Sequence, residues 1–388
     1  MLWLYNILNR AGAGVCAVSL LLPLCGLFAC ACGGGAGERT ITGNKVDLFP
    51  VAKNGKCGYI DHTGKLVIKL QFTGCLEFAE GLAPVKSGGK LGYIDSTGEY
   101  ALRPRFEDGH AFSEGLAGVR FGGKWGYLDS TGKYITGQDF DAAGDFKEGL
   151  AFVEVGGKWG YVNRAGEYAV NPQFDAAGDF KDGLAAVKIG GKWGYINKAG
   201  KYAVGLQFND GWDFVDGLAV VKAGDQWGYI AKNGKYVGKP QFEQTLDFSE
   251  GLAQVLVAGK WGYVDRSGEL SIAAQFERAG WFKAGVATVK IGGKCGYIDK
   301  TGQYVITPQF AWAGDFYEGL AAVRAGGESA KAPGAGKYGY IDKAGQYAIS
   351  PQFAWAGDFS GGIAAVKKAG QLALINKAGK VIWPSTVK

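Results

Sequence analysis

FKDGLAAVKIGGKWGYINKAGKYAVGLQFNDGWD, Phe180 to Asp213, returns almost unchanged when the sequence is shifted by 34 residues in either direction. Three columns fix the register. The tyrosines after Trp-Gly stand at 59, 93, 127, 161, 195, 229, 263, 297 and 340, seven intervals of 34 and one of 43. The phenylalanines run from Phe78 through Phe180 and Phe214 to Phe359, and the turn glycines from Gly64 to Gly379, with the same spacing. A tenth, degraded copy has Leu372-Ala373-Leu374 in place of Trp-Gly-Tyr. A fixed period of this size marks a solenoid, a propeller or an array, because one unit cannot bury its apolar face alone.

The same period belongs to helical hairpin repeats, so composition has to decide. The chain carries 67 glycines, spread through every unit, and a mid-helix Gly costs about 1 kcal/mol against Ala. In Leu184-Ala185-Ala186-Val187 and Trp193-Gly194-Tyr195-Ile196 the residues that share a face are two apart, the period of a half-buried strand. The class is all-β.

One unit reads as a three-stranded meander. Gly183 to Lys188 is a strand, and Gly190-Gly191 supplies the positive φ values that close a tight hairpin. Lys192 to Asn197 is the second strand, Asn197-Lys198-Ala199-Gly200 a capped turn, and Tyr202-Ala203-Val204 the third. A linker of about a dozen residues, with a Phe-x-x-Gly corner, leads to the next copy. Gly194 lies mid-strand, where Gly weakens a sheet; a phenylalanine of the neighbouring unit is expected to fill the gap. The copies are expected to stack as an open superhelical array. A closed β-propeller-like ring is the alternative, since three strands is one fewer than a usual blade.

Residues 47–388 form the array, with degraded ends as terminal caps. Nine extra residues, within 325–337 (AGGESAKAPGAGK), enlarge one hairpin tip, an insertion that closure entropy tolerates. Residues 1–31 read as a signal peptide, one basic residue followed by a small, apolar run. Leu27-Phe28-Ala29-Cys30 resembles a bacterial lipobox, which makes Cys30 the lipidation candidate. Ordinary cleavage after Ala31 and an uncleaved anchor are the alternatives. Residues 32–46 are then a flexible tether. With Ala31 after Cys30, resemblance to Gram-negative lipoproteins implies an outer-membrane address.

The net charge of +6 is interleaved along the units, too mild to imply nucleic acid. Four of the seven cysteines sit in or beside the leader. Cys57, Cys75 and Cys295 make no disulfide framework or zinc motif, although an exported chain admits a Cys57–Cys75 bridge. Cys57 and Cys295 read as small buried hydrophobes.

Gly-Leu-Ala-x-Val, Lys158-Trp159-Gly160-Tyr161, Lys192-Trp193-Gly194-Tyr195 and the Tyr-x-Ile-x-Pro-Gln-Phe segment together resemble the bacterial WG (KWG) repeat family. The resemblance covers about residues 47 to 383, with Cys57, Leu91, Cys295, Tyr338 and Leu372 departing from Trp in its slot. It implies a β-rich protein, often exported, that binds other molecules, and it carries over no catalytic residue.

No nucleophile elbow, phosphate loop, dinucleotide fingerprint or metalloprotease motif is present. His62 and His110 occupy unrelated slots and read as incidental. The once-per-unit turn carboxylates are better explained by turn chemistry than by catalysis or calcium. No catalytic residue, cofactor or metal is expected. The rows with functional potential are aromatic. Trp125, Trp159, Trp193, Trp227 and Trp261 fall in five successive units; they read as core between units, or as an exposed track flanked by Lys124, Lys158, Lys192 and Lys260. Trp212, Trp281, Trp312 and Trp355 lie in the linkers at varying slots, as a surface tolerates. The expectation is a non-enzymatic, exported binding or scaffold protein at the cell envelope, with protein partners and only a lipid anchor in the membrane. The alternative is a carbohydrate- or peptidoglycan-binding protein.

Overall fold

The computed structural model describes residues 47–137, 139–326 and 336–384. The leader, Cys30, the tether and most of the 325–337 insertion lie outside the described residues. Among the described residues the array contains 38 strands, grouped into ten antiparallel sheets in chain order. Each sheet is one blade.

Blade 5 shows the plan: strand A is Ala176–Ala177, B Leu184–Ile189, C Lys192–Asn197 and D Tyr202–Phe208, paired in the order A-B-C-D. The expected meander supplies B, C and D. Strand A is a correction, for the expected linker is itself a strand. The N–H groups of Asp175 and Gly178 donate to the carbonyls of Lys188 and Ala186 at 2.8 and 2.9 Å. In blades 6, 9 and 10 strand A lengthens to six residues, as in Asp210–Val215. Blade 1 opens at strand B, Phe49–Lys53, and blade 3 replaces D with isolated bridges from Trp125 to Phe140 and Leu128 to Tyr134.

The turns follow from their residues. Gly190 and Gly191 have φ of 57° and 79°, the mirror-image turn that matches strand twist. In the C–D turn, Asn197 Oδ1 accepts the N–H groups of Ala199 and Lys201 at 3.0 and 3.1 Å. Where Asp takes that place, a hydroxyl reinforces it: Thr97 and Thr301 donate to Asp95 and Asp299 at 2.6 Å and hold both carboxyls below their usual range.

Gly194 is needed for a different reason from the one expected. A Cβ there would stand 2.7 Å from the carbonyl oxygen of Val204 and 2.9 Å from the carbonyl carbon of Gly205, both in its own blade. Tyr195 pairs with Val204 but Trp193 with Phe208, so D spends four residues where C spends two. The bulge lays D's backbone across the strand, and no neighbouring ring fills the gap.

The core lies between blades. Leu184, Ala186, Tyr195 and Val204 of blade 5 pack with Phe214, Ala219, Val221 and Ile230 of blade 6. Blades stack as expected, but the stack closes, which corrects the open superhelix. The C–D turn glycine of each blade rests on the preceding blade: Gly98 against Ile68, Gly200 against Val170, Gly379 against Ile349. Gly64 of blade 1 rests in the same way on Ile382 of blade 10, and the Phe49 ring covers Gly361. The result is a ten-bladed β-propeller ring. Strand A is two residues long in six blades while D is seven in most, so each blade is a wedge. Strands A of blades 9 and 10 touch each other, which places A at the inner wall and the half-exposed D at the rim. Wedges joined edge to edge bend into a circle, not a rod.

Cys57 of strand C in blade 1 and Cys75 of strand A in blade 2 form a disulfide. Cys295 is a buried free thiol, raised in pKa by that burial.

Candidate functional site: inner wall, cleft and rim

Most of the polar chemistry that recurs with the period is consumed in the frame. The hydroxyl of Tyr59, Tyr93, Tyr161 and the later tyrosines of the column donates to a carbonyl on or immediately after strand A of the following blade, at 2.8, 2.7 and 2.8 Å for these three. At the A–B corner Glu80, Glu114, Glu148 and Asp182 adopt positive φ. The Glu80 carboxylate accepts the N–H groups of Glu114 and Gly115, both at 2.8 Å, one blade on. Lysines from later C–D turns close on the same carboxylates: Lys198 on Glu148 at 3.1 Å and Lys300 on Glu250 at 3.2 Å.

The tryptophans divide. Trp125, Trp159, Trp193, Trp227 and Trp261 are half-buried and packed on neighbours. Trp159 meets Phe152 edge-on at 5.4 Å, and the ammonium groups of Lys188 and Lys222 sit 5.7 Å from the rings of Trp193 and Trp227. Lys158, from the supposed flanking row, pairs with Asp175 at 2.6 Å, and Lys124 pairs with Asp141. Trp212 stacks edge-on against Trp227 at 5.8 Å and is half-buried, as is Trp281. Trp312 and Trp355 are exposed, at 37% and 42%.

Two features escaped the sequence reading. The first is an acidic belt on strand A or just after it, immediately before the phenylalanine column: Glu77, Asp145, Asp179, Asp213, Asp247, Asp315 and Asp358. Lys181 pairs with Asp213 at 3.1 Å and Lys283 with Asp315 at 3.7 Å, each across a blade boundary. His110, expected to be incidental, holds Asp145 at 2.8 Å and packs on Trp125; His62 is exposed in its turn. Burial pushes the Asp247 carboxyl up to about 6 against the opposing Lys181 charge, and Asp213 adds to the rise. Burial raises Asp315 too, and burial plus Asp315 raises Asp358.

The belt is interrupted at Ala111 and at Trp281, and beside Trp281 a cleft of roughly 460 Å³ opens between blades 8 and 9. Trp281, Trp312, Arg278, Lys290, Thr288 and Asp315 line it, Asp358 reaches in from blade 10, and Cys295 lies in its wall. Thr288 donates to Asp315 at 3.2 Å. A Cβ on Gly314 would come within 2.9 Å of the Trp312 ring, and one on Gly357 equally close to Trp355. Both indoles therefore lie down on their own strand's backbone.

The second feature is the rim. Tyr100, Tyr168, Tyr202, Tyr236, Tyr304 and Tyr347 open strand D in their blades and are 37–47% exposed. Each of several also meets the preceding blade edge-on, as Tyr236 meets Phe208 at 6.2 Å. Both features were visible as columns at the period, but no column says which way its side chains face.

The WG containing repeat is matched nine times in near-continuous succession, from residues 58–90 to residues 338–371. The chain belongs to the WG repeat family. In WG-repeat terms, the family's Trp is the half-buried ring at the start of strand C and its Gly is the crossing point under the bulge of D. No curated protein matches the chain. Among solved structures it is similar to a eukaryotic initiation factor, at 12% identity and a TM-score of 0.50, over 77% of this chain and 93% of that one. It is also similar to PorZ, a bacterial surface component of the type-IX secretion system of Porphyromonas gingivalis, at 10% identity, TM-score 0.29 and 80% of this chain, and spans about half (51%) of PorZ. Hsv2p of Kluyveromyces lactis follows at 10% identity and TM-score 0.34, over 57% of this WG-repeat chain and 91% of that one. The first likeness, at that identity, concerns the fold alone.

Proposed function

We propose that this WG-repeat ring is a non-enzymatic binding and scaffold protein, exported to the cell envelope, that offers its repeated surface to a protein partner. The rim tyrosines carry this reading. Six blades present the same half-exposed ring on an outer strand, and tyrosine supplies large contact area with a polar tip at little conformational cost. The absence of a catalytic role fits the way the recurring hydroxyls and carboxylates are spent in the frame. The apolar leader and its lipobox-like Cys30 support a lipid anchor as the only membrane attachment, and the mild charge supports a partner other than nucleic acid.

The experiment is cross-linking of the full chain in intact envelopes, beside a variant carrying Tyr168→Ser, Tyr202→Ser and Tyr236→Ser. The proposal expects a discrete cross-linked protein that disappears in the variant while the ring's melting profile stays within a few degrees. The same cross-linked species in both, or none in either, overturns it. A second reading, carbohydrate binding, is favoured by the cleft at Trp281 and Trp312.

A further inference from the structure

The cleft between blades 8 and 9 is unlike the other blade boundaries in chemistry. At the belt position, where neighbouring blades place Asp247 and Asp315, blade 8 has Trp281. At the top of strand A, where blades 4 and 5 have Ala142 and Ala176, blades 9 and 10 have Trp312 and Trp355. Three linker rings thus fall in one sector of a ring whose WG-slot tryptophans are packed on neighbours.

The polar lining narrows the ligand class. Asp315 and Asp358 set two carboxylates in the wall and Arg278 and Lys290 two cations, so the formal charges of these lining residues cancel, with Lys283 paired to Asp315 from outside the lining. An anion would face both carboxylates, and an organic cation both basic groups. A neutral molecule rich in hydroxyls can donate to the carboxylates, accept from the cations and lay its C–H face on an indole. Trp355 repeats the Trp312 geometry one blade further on, with the same close approach to a glycine, so the aromatic surface extends past a single sugar ring.

We infer that the cleft bounded by Trp281, Trp312, Asp315 and Asp358 is a binding site for a neutral oligosaccharide, with Trp312 and Trp355 as successive stacking platforms. This site is separate from the rim; it rests on the carbohydrate-binding reading of the cleft and does not depend on the protein-partner one.

The test is titration of the full chain with maltohexaose, cellohexaose, N-acetylated chitohexaose and mannohexaose, followed by tryptophan emission and calorimetry. At least one of the four should shift the emission with saturation. Trp312→Ala should weaken that binding at least tenfold and Asp315→Asn severalfold, while the Tyr168→Ser, Tyr202→Ser, Tyr236→Ser variant binds as the unaltered chain does. Should Trp312→Ala perturb folding, Trp355→Ala, on the last full strand A, gives the second reading of the same effect. No saturable shift with any of the four up to the solubility limit overturns the inference. So does binding that survives both tryptophan substitutions, or a cleft that instead retains a cross-linked protein segment.

Discussion

The hydroxyl of Tyr195 donates to the backbone carbonyl of Trp212, seventeen residues downstream and one blade on, at 2.8 Å. Tyr195 is fully buried, and desolvation pushes its phenol far above the ordinary range, so the group stays a donor at any pH the protein meets. The bond recurs wherever the column keeps its tyrosine. At blade 10, Leu374 stands in its place, and the seam to blade 1 depends on packing of Ile382 and Phe49 instead.

Tyr195→Phe should keep the ring shape and remove the donor, at a cost of about 1–2 kcal/mol. Tyr195→Ala should cost about 3–5 kcal/mol, because it also opens a cavity between blades 5 and 6. Chemical denaturation of the two variants checks the order. A Tyr195→Phe variant as stable as the unaltered chain would mean that the hydroxyl contributes nothing.

Two glycines in one blade should answer alanine very differently. A Cβ at Gly190 has nothing within 4 Å but φ of +57°, and alanine there should cost about 1 kcal/mol. Alanine at Gly194 meets the backbone of Val204 and Gly205 below 3.0 Å, so the bulge of D must shift; the soluble yield of Gly194→Ala should collapse while that of Gly190→Ala holds.

Opening the Cys57–Cys75 bridge, which spans 18 residues, should lower stability by about 3 kcal/mol on the loop-entropy account. Cys75→Ser should reproduce the effect of reductant on the melting temperature, and reductant should then do nothing more. Peptide mapping without reduction should recover the Cys57 and Cys75 peptides joined.

Asp247 sets a pH dependence whose sign is opposite to that of a salt-bridged acid. Its folded pKa, about 6, lies above the ordinary value near about 4. The folded state therefore holds the extra proton in that window, and this residue's contribution is greatest below it and declines as pH rises through it. Asp247→Asn should match the unaltered protein near pH 4 and exceed it at pH 8. An Asn variant that is weaker at pH 8 would contradict the burial argument.

Much of this fold is legible in the sequence. Strands B, C and D, the Gly190-Gly191 hairpin and the Asn197 turn each carry local signals: alternation, paired glycines, a capping side chain. Strand A was not legible, since Ala176-Ala177 has neither length nor pattern and becomes a strand only because Lys188 and Ala186 offer carbonyls beside it. The bulge over Gly194 likewise depends on D spending two extra residues, which a period count cannot show. Ring against rod turns on the angle between blades, and that comes from the wedge of short A and long D. Of the aromatic residues, the varying linker slots pointed to the surface and Trp312 and Trp355 are exposed, but Trp212 and Trp281 of the same set are half-buried, because a slot does not say which way its side chain faces.

Closure of blade 10 onto blade 1 is the feature on which the inner wall, the cleft and the rim all rest, and small-angle X-ray scattering on the array, residues 47–388, measures it. The ring predicts a radius of gyration of about 20–25 Å, on the compact scale for a domain of this length, with a pair-distance distribution typical of a flat annulus. An open stack of ten sheets at a spacing of about 10 Å would be a rod roughly 100 Å long, and a scattering profile of that form would contradict the account.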